Sequence, residues 1–448
     1  MNDTICAIST AIGVGGISII RISGDEAISI VNAIFEGKDL SKVKTHTINY
    51  GHIVYEGRVI DEVLVSVMLA PKTYTTEDVV EINLHGGIAT TNKVLSILLS
   101  SGCRLAEPGE FTKRAFLNGR IDLVEAEAVS DLISAETENS RSMTIDQLTG
   151  KLSTMIRDIK EKLISLEASI EVNIDYPEYE DIEDMTSKKV SKELEMIKES
   201  IDKMLKESRT GKLIKDGLNV AIIGRPNVGK SSILNALIEE DKAIVTDIEG
   251  TTRDIVEGRL VLNGIVLNFI DTAGIRSTDD LVEKIGVDKS LKKMETADLV
   301  IMVLNNNEPV SESEKELLNK LEKKKHIIFV NKDDLDKKID IDSDNMVFGN
   351  TVLPNGLDSL KAKISELFAL DVLPQRDFTY MSNARQTSTM KKVANSIEKA
   401  IDCLNTGTPV DIAMIDLEEA RTHLGELLGE VYDEELIDEL FSKFCLGK

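Results

Sequence analysis

The stretch Gly224-Arg225-Pro226-Asn227-Val228-Gly229-Lys230-Ser231 decides the fold of the middle of this chain. It has the spacing G-x-x-x-x-G-K-S, follows the apolar run 220–223 and precedes a helical pattern that starts at Ile233. In such a strand–loop–helix unit the glycines let backbone N–H groups surround a polyphosphate. The lysine reaches the β- and γ-phosphates, and the serine hydroxyl can hold Mg²⁺. The stretch therefore predicts a nucleotide-binding domain.

Composition limits what the rest of the molecule can be. At 448 residues and 42% hydrophobic content, the chain is long enough for two or three domains with real cores. A net charge of −25 without a long basic tract argues against general nucleic-acid binding. The four cysteines lie far apart and form no C-x-x-C spacing. Neither a secretory signal nor a long apolar stretch is present, so we expect a soluble cytoplasmic protein with no membrane contact.

The spacing of apolar residues divides the chain into four segments. Residues 1–118 mix β-rich runs with glycine-rich turns and predict an α/β or α+β domain. Residues 119–215 and 375–448 show helical spacing, whereas 216–374 alternate strands and helices, as is typical of a doubly wound parallel sheet. We therefore predict an α/β nucleotide-binding domain inserted into one discontinuous all-helical domain.

Several elements can be placed within these segments. Strand patterns lie at 63–69 and 79–84, and helices are expected at 25–35 and 90–101. The dipeptide Asn263-Gly264 separates two β-rich runs and predicts a two-residue hairpin turn.

Two further motifs follow strand patterns in the order expected of a GTPase. The aspartate of Asp271-Thr272-Ala273-Gly274 can bind Mg²⁺ through water, and the Gly274 amide can contact the γ-phosphate. In Asn331-Lys332-Asp333-Asp334 the Asp334 carboxylate can accept hydrogen bonds from the N1–H and amine of guanine. Adenine offers no matching donors, so the pattern favours GTP over ATP.

A threonine-containing segment, 246–254, lies between the phosphate loop and Asp271. A threonine in this position usually closes over Mg²⁺ and the γ-phosphate. Thr252 is the candidate, and Thr251 is the neighbouring alternative. The predicted nucleotide contacts are Asn227, Val228, Gly229, Lys230, Ser231, Ser232, Thr246, Asp247, Ile248, Glu249, Gly250, Thr251, Thr252, Asp271, Thr272, Ala273, Gly274, Asn331, Lys332 and Asp334.

Two positions depart from a Ras-like GTPase. A Ser-Ala-Lys-like turn should follow a strand near 345–352, but the chain has Val347-Phe348-Gly349-Asn350-Thr351 there. Ile275 stands where Ras-like enzymes place the glutamine that orients the attacking water. Glu283 can replace that glutamine through a bridging water, or it can be an ordinary solvated helix residue.

The cation that stabilises the developing negative charge is also not evident. Arg253 is one candidate for an internal arginine finger. The alternative is a monovalent cation, caged by the amide oxygen of Asn227 and the carbonyls of the 246–251 loop.

Beyond these motifs, the chain resembles the MnmE (TrmE) family of tRNA-modification GTPases along nearly its full length. The supporting stretches are 15–24, Tyr74-Thr75-Thr76-Glu77-Asp78-Val79-Val80-Glu81, His85-Gly86-Gly87, 108–123 and the terminal Phe444-Cys445-Leu446-Gly447-Lys448. The last of these is similar to the family's Cys-x-Gly-Lys terminus.

The resemblance implies a fold and a function. The N-terminal α/β domain would be related to folate-dependent one-carbon enzymes, would dimerise and would bind 5-formyl-tetrahydrofolate or a related one-carbon folate. The homodimer would work with an FAD-dependent partner, in a heterotetramer or larger complex. Together they would place an aminomethyl or carboxymethylaminomethyl group on C5 of the wobble uridine of certain tRNAs. Hydrolysis would depend on K⁺ and on GTPase domains that meet across the dimer.

The resemblance also implies roles for individual residues. The K⁺ contacts would be Asn227, Thr246, Ile248 and Thr251, and the Mg²⁺ contacts Ser231 and Thr252. The folate contacts would be Arg21, Glu81, Arg120 and Lys448. The resemblance identifies Glu283 with the family's catalytic glutamate, and the predicted catalytic set adds Lys230 and Gly274 from the nucleotide motifs and Cys445 from the reactivity of its thiol.

The proposed folate residues have suitable chemistry. The cations Arg21, Arg120 and Lys448 can meet a glutamate tail, and Glu81 can accept from a pterin amine. An ordinary ion pair between strands is the alternative for Arg21 and Glu81. Cys445 can add to C6 of a uracil ring as a thiolate, or it can be a bystander near the terminus.

Two other functions fit part of the sequence. One is a ribosome-assembly GTPase switch that binds rRNA. The other is a folate-dependent one-carbon transferase with a regulatory GTPase. Residues 1–120 discriminate among them, since an assembly factor needs no folate pocket and a transferase needs a catalytic base there.

Overall fold

The computed structural model describes residues 3–175, 187–240, 256–270, 294, 296–321, 324–370 and 381–447. Contacts between residues divide the chain into two units. The first unit contains Met1–Ser134, Ile145–Asp202 and Ser388–Lys448, and the second contains Ala135–Thr144 and Lys203–Thr387.

The first unit contains a seven-stranded sheet among its described residues, in the order β3-β4-β5-β6-β2-β1-β7. Its strands are β1 Ile5–Ile8, β2 Ser18–Ser23, β3 Phe35–Glu36, β4 Thr47–Tyr55, β5 Arg58–Met68, β6 Val79–Leu84 and β7 Arg104–Leu105. Strand β7 runs parallel to β1, and the other pairs are antiparallel. Helices α1 (Ala27–Ile34) and α2 (Ile88–Ser100) lie close to the positions predicted from the sequence.

The alternation of side chains gives this sheet two different faces. Ile20, Ile22 and Ile82 are buried in one cluster with Val31 of α1 and Leu98 of α2. The residues between them in sequence point to the opposite face, because successive side chains alternate across a strand. Arg21 and Glu81 are on that second face, directly opposite each other in the β2–β6 register.

Where the structure describes them, the predicted helical segments consist mainly of helices. Before the nucleotide-binding strands lie α3 Glu110–Leu117, α4 Leu123–Ser134, α5 Glu138–Leu148, α6 Lys151–Asp175 and α7 Ser187–Asp216. Within the first unit, α6 packs against a helix from the far end of the chain, Val410–Leu428. The two helices bury leucines, among them Leu163 and Leu417. This contact supports the prediction that one helical domain is built from two separate parts of the sequence.

In the part of the second unit that the structure describes, there is a six-stranded sheet in the order β13-β12-β11-β8-β10-β9. Its strands are β8 Leu218–Ile223, β9 Val256–Leu262, β10 Ile265–Ile270, β11 Leu299–Asn305, β12 His326–Asn331 and β13 Met346–Phe348. All pairs are parallel except β9–β10. The described helices that follow strands are α8 Lys230–Glu240, α9 Glu312–Leu321 and α10 Asp358–Phe368.

Both faces of this sheet are buried, as expected for parallel strands. Val220 and Ile222 of β8 belong to one apolar cluster, and Ala221 and Ile223 belong to another. The predicted hairpin turn between β9 and β10 is confirmed. Asn263 and Gly264 have φ values of 49° and 77°, the positive values that a type I′ turn requires.

The remaining helices complete the chain. They are α11 Ala384–Asn405, α12 Val410–Leu428 and α13 Glu434–Ser442. Among the helices that the structure describes, none combines the length and apolar character that crossing a membrane requires. The domain boundaries expected near 118, 215 and 374 stay predictions, because the two units follow packing and divide α5 and α7 internally.

Candidate nucleotide site and N-terminal charged site

The phosphate loop is a tight turn between β8 and α8. Gly224, Asn227 and Gly229 have φ values of 147°, 62° and 102°, which L side chains rarely adopt. A Cβ atom on Gly224 would lie 2.5 Å from the carbonyl oxygen of Val303 in β11. The glycine therefore lets the loop pass close to the neighbouring strand, and the backbone can curve around an anion.

Lys230 stabilises this loop from within. Its ammonium group donates hydrogen bonds to the carbonyl oxygens of Gly224, at 2.9 Å, and Arg225, at 2.6 Å. Ser231 and Ser232 follow it in the first turn of α8, where backbone N–H groups and the helix dipole favour negative charge. The predicted phosphate contacts Val228, Gly229, Lys230, Ser231 and Ser232 are thus together in one loop and helix start.

The motif predicted to contact guanine is hydrogen-bonded directly to the phosphate loop. Asn331, the last residue of β12, is buried and donates from Nδ2 to the carbonyl oxygen of Val228 at 2.8 Å. A Cβ atom on Gly229 would lie 2.2 Å from that same Nδ2 atom. Gly229 is therefore required for two reasons, its backbone conformation and the close approach of Asn331. The buried Oδ1 atom of Asn331 has no hydrogen-bond partner among the described residues.

The residues after Asn331 form the mouth of the site. Lys332 has a φ of 63°, and the amide of Leu335 donates to its carbonyl oxygen at 3.1 Å. Asp334, the residue predicted to recognise guanine, is exposed. Its neighbour Asp333 accepts a hydrogen bond from the side chain of Asn350 at 2.6 Å.

Asn350 organises the atypical fifth element. Its Oδ1 atom accepts from the amides of Val352, at 3.1 Å, and Leu353, at 2.8 Å, while its Nδ2 atom donates to Asp333. The predicted strand before this turn is present as β13. One asparagine side chain therefore orders the turn and links it to the guanine loop. Sequence reasoning recorded the departure here but did not assign this role to Asn350.

Arg225 is a second residue whose role the sequence analysis missed. Its Nε atom donates to Glu314 Oε1 at 2.7 Å, and another guanidinium nitrogen donates to Glu308 at 3.1 Å. Glu314 is only 1% exposed and also accepts from the amide and hydroxyl of Ser311, both at 2.8 Å. The Ser-x-x-Glu spacing of that helix cap was the available signal. Because Lys230 donates to the Arg225 carbonyl, this ion pair indirectly supports Lys230, the residue predicted to contact the phosphates.

Several predicted site residues lie outside the described residues. These are Thr246, Asp247, Ile248, Glu249, Gly250, Thr251, Thr252, Arg253, Asp271, Thr272, Ala273, Gly274, Ile275, Glu283 and Lys448. Of the predicted cation contacts, the structure therefore describes Asn227, which is exposed at the loop tip, and Ser231.

The N-terminal charged site is centred on the Arg21–Glu81 pair. Arg21 Nε donates to Glu81 Oε1 at 2.8 Å, and the side chains are 16% and 22% exposed. The guanidinium carbons of Arg21 and Arg120 lie 5.3 and 4.7 Å from the centre of the same ring, that of Tyr74. The structure thus brings three of the predicted folate residues together. It adds Tyr74, which the sequence analysis quoted in a motif but did not select.

The C-terminal residues lie against this site. The carbonyl oxygen of Gly447 accepts from Arg21, at 3.3 Å, and from the hydroxyl of Ser9, at 3.1 Å. Gly447 has a φ of 85°, and a Cβ atom on it would lie 2.4 Å from the carbonyl oxygen of Ile8. Cys445 is exposed, and its carbonyl oxygen accepts from the amide of Gly109 at 3.3 Å. The glycine of the terminal motif is therefore needed for close packing on β1.

Two motifs of the N-terminal region also pack together. A Cβ atom on Gly86 would lie 2.2 Å from the Gly15 carbonyl oxygen, and the Gly15 amide donates to the Gly86 carbonyl at 2.9 Å. The neighbouring His85 contacts Asp61 through Nδ1 at 2.8 Å. The hydrogen bond and the negative charge of Asp61 raise the pKa of His85 above its ordinary value.

The chain matches two family models. Residues 4–120 match the model described as the N-terminus of the GTP-binding protein TrmE, and residues 123–445 match the MnmE helical domain. The relatives include the tRNA modification GTPase MnmE of Ligilactobacillus salivarius (strain UCC118), 49% identical over 455 residues, with 100% of this chain and 98% of the relative covered. The MnmE of Bacillus mycoides (strain KBAB4) is also 49% identical, covering 100% of this chain and 99% of that protein.

Several solved structures resemble a part of the chain. The G domain of the T. maritima FeoB iron transporter is 28% identical and covers 33% of this chain and 97% of its own, with a TM-score of 0.23. The FeoB G-domain of Methanococcus jannaschii is 29% identical and covers 34% and 98%, with a TM-score of 0.25.

The family models and the relatives agree over almost the whole chain. The predicted multidomain fold, with an N-terminal α/β domain, a discontinuous helical domain and a P-loop GTPase domain, is confirmed. The prediction of a GTP hydrolase is also confirmed at the level of the family. With an MnmE model spanning more than half of its residues and relatives matched end to end, the chain belongs to the MnmE family of tRNA modification GTPases.

Proposed function

We propose that this protein hydrolyses GTP in the cytoplasm while it acts, with an FAD-dependent partner, on C5 of the wobble uridine of certain tRNAs. The product would carry an aminomethyl or carboxymethylaminomethyl group. One observation supports the proposal: the phosphate loop is joined to the predicted guanine motif by the Asn331–Val228 hydrogen bond, in a chain matched end to end by tRNA modification GTPases. A net charge of −25 fits a partner protein that supplies much of the tRNA contact.

The residues of the phosphate loop fit the proposed metal ions. The amide oxygen of Asn227 and the carbonyls that Thr246, Ile248 and Thr251 can supply are hard oxygen donors, which suit an alkali ion such as K⁺. The Ser231 and Thr252 hydroxyls suit Mg²⁺. When bound, K⁺ would supply positive charge where other GTPases use an arginine finger.

The chain itself then has to position GTP and water. Lys230 shifts from its carbonyl partners toward the β- and γ-phosphates, and the Gly274 amide contacts the γ-phosphate. Asp334 accepts from guanine. Glu283 orients the attacking water, because Ile275 has no polar atom for that task.

The N-terminal site fits a folate. A one-carbon folate has an aromatic pterin and an anionic glutamate tail, and Arg21, Arg120 and Lys448 can bind the tail. The Tyr74 ring holds the first two guanidinium groups in place. Glu81 would share its carboxylate between Arg21 and the pterin amine. We infer that this domain also forms the homodimer contact, which would let two GTPase domains meet, and that a heterotetramer or larger complex forms with the flavoprotein.

A comparison of GTP turnover in KCl and NaCl tests the nucleotide part of the proposal. The full chain should hydrolyse GTP at least about a hundredfold faster in KCl, since the charge of an arginine finger contributes still more than that. Asn227→Ala should remove the difference, whereas Asn235→Ala, on the exposed side of α8, should keep it. Equal rates in the two salts would sink the K⁺ assignment.

Two further measurements complete this test. Glu283→Ala should leave GTP binding intact and lower turnover sharply, and unchanged turnover would remove Glu283 from the mechanism. Small molecules released from the purified protein should include a one-carbon folate by mass. Preferential binding of rRNA over tRNA would instead support the ribosome-assembly alternative.

A further inference from the structure

A short segment of the helical region is built into the nucleotide-binding unit. Residues Ala135–Thr144, which include the first two turns of α5, group with the second unit. Met143 is fully buried in the apolar cluster that contains Leu260 of β9 and Ile265 and Leu267 of β10. The segment is therefore part of the core beneath the β9–β10 hairpin.

Polar contacts join the same segment to β9 and to the turn of the hairpin. Arg259 of β9 donates to Glu136 at 2.5 Å, and Asn139 Nδ2 lies 3.5 Å from the carbonyl oxygen of Asn263. A Cβ atom on Gly264 would lie 2.4 Å from Asn139 Nδ2, so the turn is seated directly on this side chain. These contacts join residues more than a hundred positions apart in the sequence.

Helix α10 of the same unit also contacts the hairpin turn. Asn263 Nδ2 donates to the hydroxyl of Ser365 in α10 at 2.9 Å. The turn is therefore held from two sides, by α10 and by residues 135–144. A hairpin held at its tip cannot slide along its neighbour β8 without breaking both sets of contacts.

The position of this hairpin matters because of what its strands connect. Strand β9 starts at Val256, just after the 246–254 segment, and β10 ends at Ile270, just before Asp271. A slide by two residues would move both strand ends by about 6.6 Å, since each residue advances a strand by about 3.3 Å. Displacements of even about 1 Å cost large factors in rate when reacting groups must be aligned.

We propose that Glu136, Asn139 and Met143, hereafter the hairpin anchor, are positioning residues for GTP hydrolysis. They hold the β9–β10 hairpin in one register, so that its described strand ends, at Val256 and Ile270, stay fixed relative to β8, the strand that leads into the phosphate loop. None of its three residues is among the predicted nucleotide or metal contacts, and the anchor acts through the hairpin. This inference rests on the proposed GTP hydrolysis.

The test reverses one charge of the hairpin anchor in the full chain. Glu136→Arg places a cation against Arg259. It should lower kcat for GTP by about tenfold or more, with KM and GDP affinity within about twofold of wild type. The double variant Glu136→Arg with Arg259→Glu should recover most of kcat. Arg141→Glu is the matched control, because its ion pair with Glu138 on the same segment is largely exposed, and it should change nothing.

A readout without turnover separates this inference from the proposed function. Amide hydrogen exchange at the hairpin turn should be faster in Glu136→Arg than in wild type, and normal in the double variant. Faster exchange with unchanged kcat, in a protein that hydrolyses GTP, would overturn the positioning role. Unchanged exchange would overturn the anchor itself. A parallel loss of GDP affinity that the double variant does not rescue would show a general folding defect and would also contradict the proposal.

Discussion

The two sheets of this protein present polar residues in opposite ways. In the mainly parallel sheet of the second unit, the candidate residues follow the carboxyl ends of β8 and β12, and backbone N–H groups of the phosphate loop are expected to contact the ligand. In the mainly antiparallel sheet of the first unit, Arg21 and Glu81 project from the middle of strands. The candidate nucleotide residues therefore lie in loops at the end of one sheet, whereas Arg21 and Glu81 lie on a face of the other.

This difference has consequences for tolerance to substitution. A site made of backbone depends on a few glycines, since no other residue fits the conformation and the available space. A site made of side chains depends on charge and on the partners that hold each group. We therefore expect the largest losses in the loop site and graded losses at the sheet-face site.

Gly229→Ala should have the largest effect. The new Cβ atom would lie 2.2 Å from Asn331 Nδ2, and residue 229 has a φ of 102°. The substitution would therefore strain the loop backbone and also displace the Asn331 side chain. Backbone strain and a broken buried hydrogen bond cost about 1–3 kcal/mol each, which predicts a loss in GDP affinity of about a hundredfold or more by calorimetry. Gly57→Ala is the control, with a φ of 75° and open space around the added atom, and should bind GDP normally. Near-normal affinity of the Gly229 variant would contradict the loop geometry.

Glu314→Gln tests whether side chains also support the loop site. It replaces a charged hydrogen bond to Arg225 with a neutral one, and we expect GTP affinity to fall by about tenfold. Ser311→Ala is the matched control, since it removes a hydroxyl from the same helix cap without touching Arg225. If both variants lose equal affinity, helix stability is the cause and Arg225 has no separate role.

Arg21→Ala and Glu81→Ala test whether the charged pair on the sheet face binds a folate. Each should weaken binding of 5-formyl-tetrahydrofolate by about tenfold, the contribution of one or two charged hydrogen bonds. Glu62→Ala, which removes an exposed partner of Tyr50 on the same sheet, should not. Normal folate binding by both variants would leave the pair as an ordinary contact between strands.

His85 should show the smallest effect, because its side chain is 71% exposed. The neighbouring Asp61 raises the His85 pKa above its ordinary value of 6.5. The ion pair is therefore fully formed below pH 6.5, and its contribution to stability is lost as pH rises through the higher pKa of the folded protein. Histidine ring NMR of Asp61→Asn should show a lower His85 pKa than in wild type. An unchanged value would mean that another group causes the shift.

Local patterns in the sequence predicted much of the fold. The P-loop, the turn at Asn263-Gly264 and the strand before Gly349 all depend on residues adjacent in the chain, so their patterns could be read directly. The sequence did not predict the Arg225–Glu314 ion pair, whose residues are 89 positions apart. Nor did it predict the contact between Gly264 and Asn139, which are more than a hundred positions apart.

The same distinction explains the candidate sites. By itself, the sequence determined the strand–loop–helix unit and the alternation that puts Arg21 and Glu81 on one face, since glycine spacing and side-chain period are local properties. Tertiary structure alone decided that Tyr74 and Gly447 meet Arg21, that Asn350 orders the guanine loop and that residues 135–144 support the hairpin. Such contacts depend on how segments that are distant in the sequence pack together, and local sequence patterns do not specify that packing.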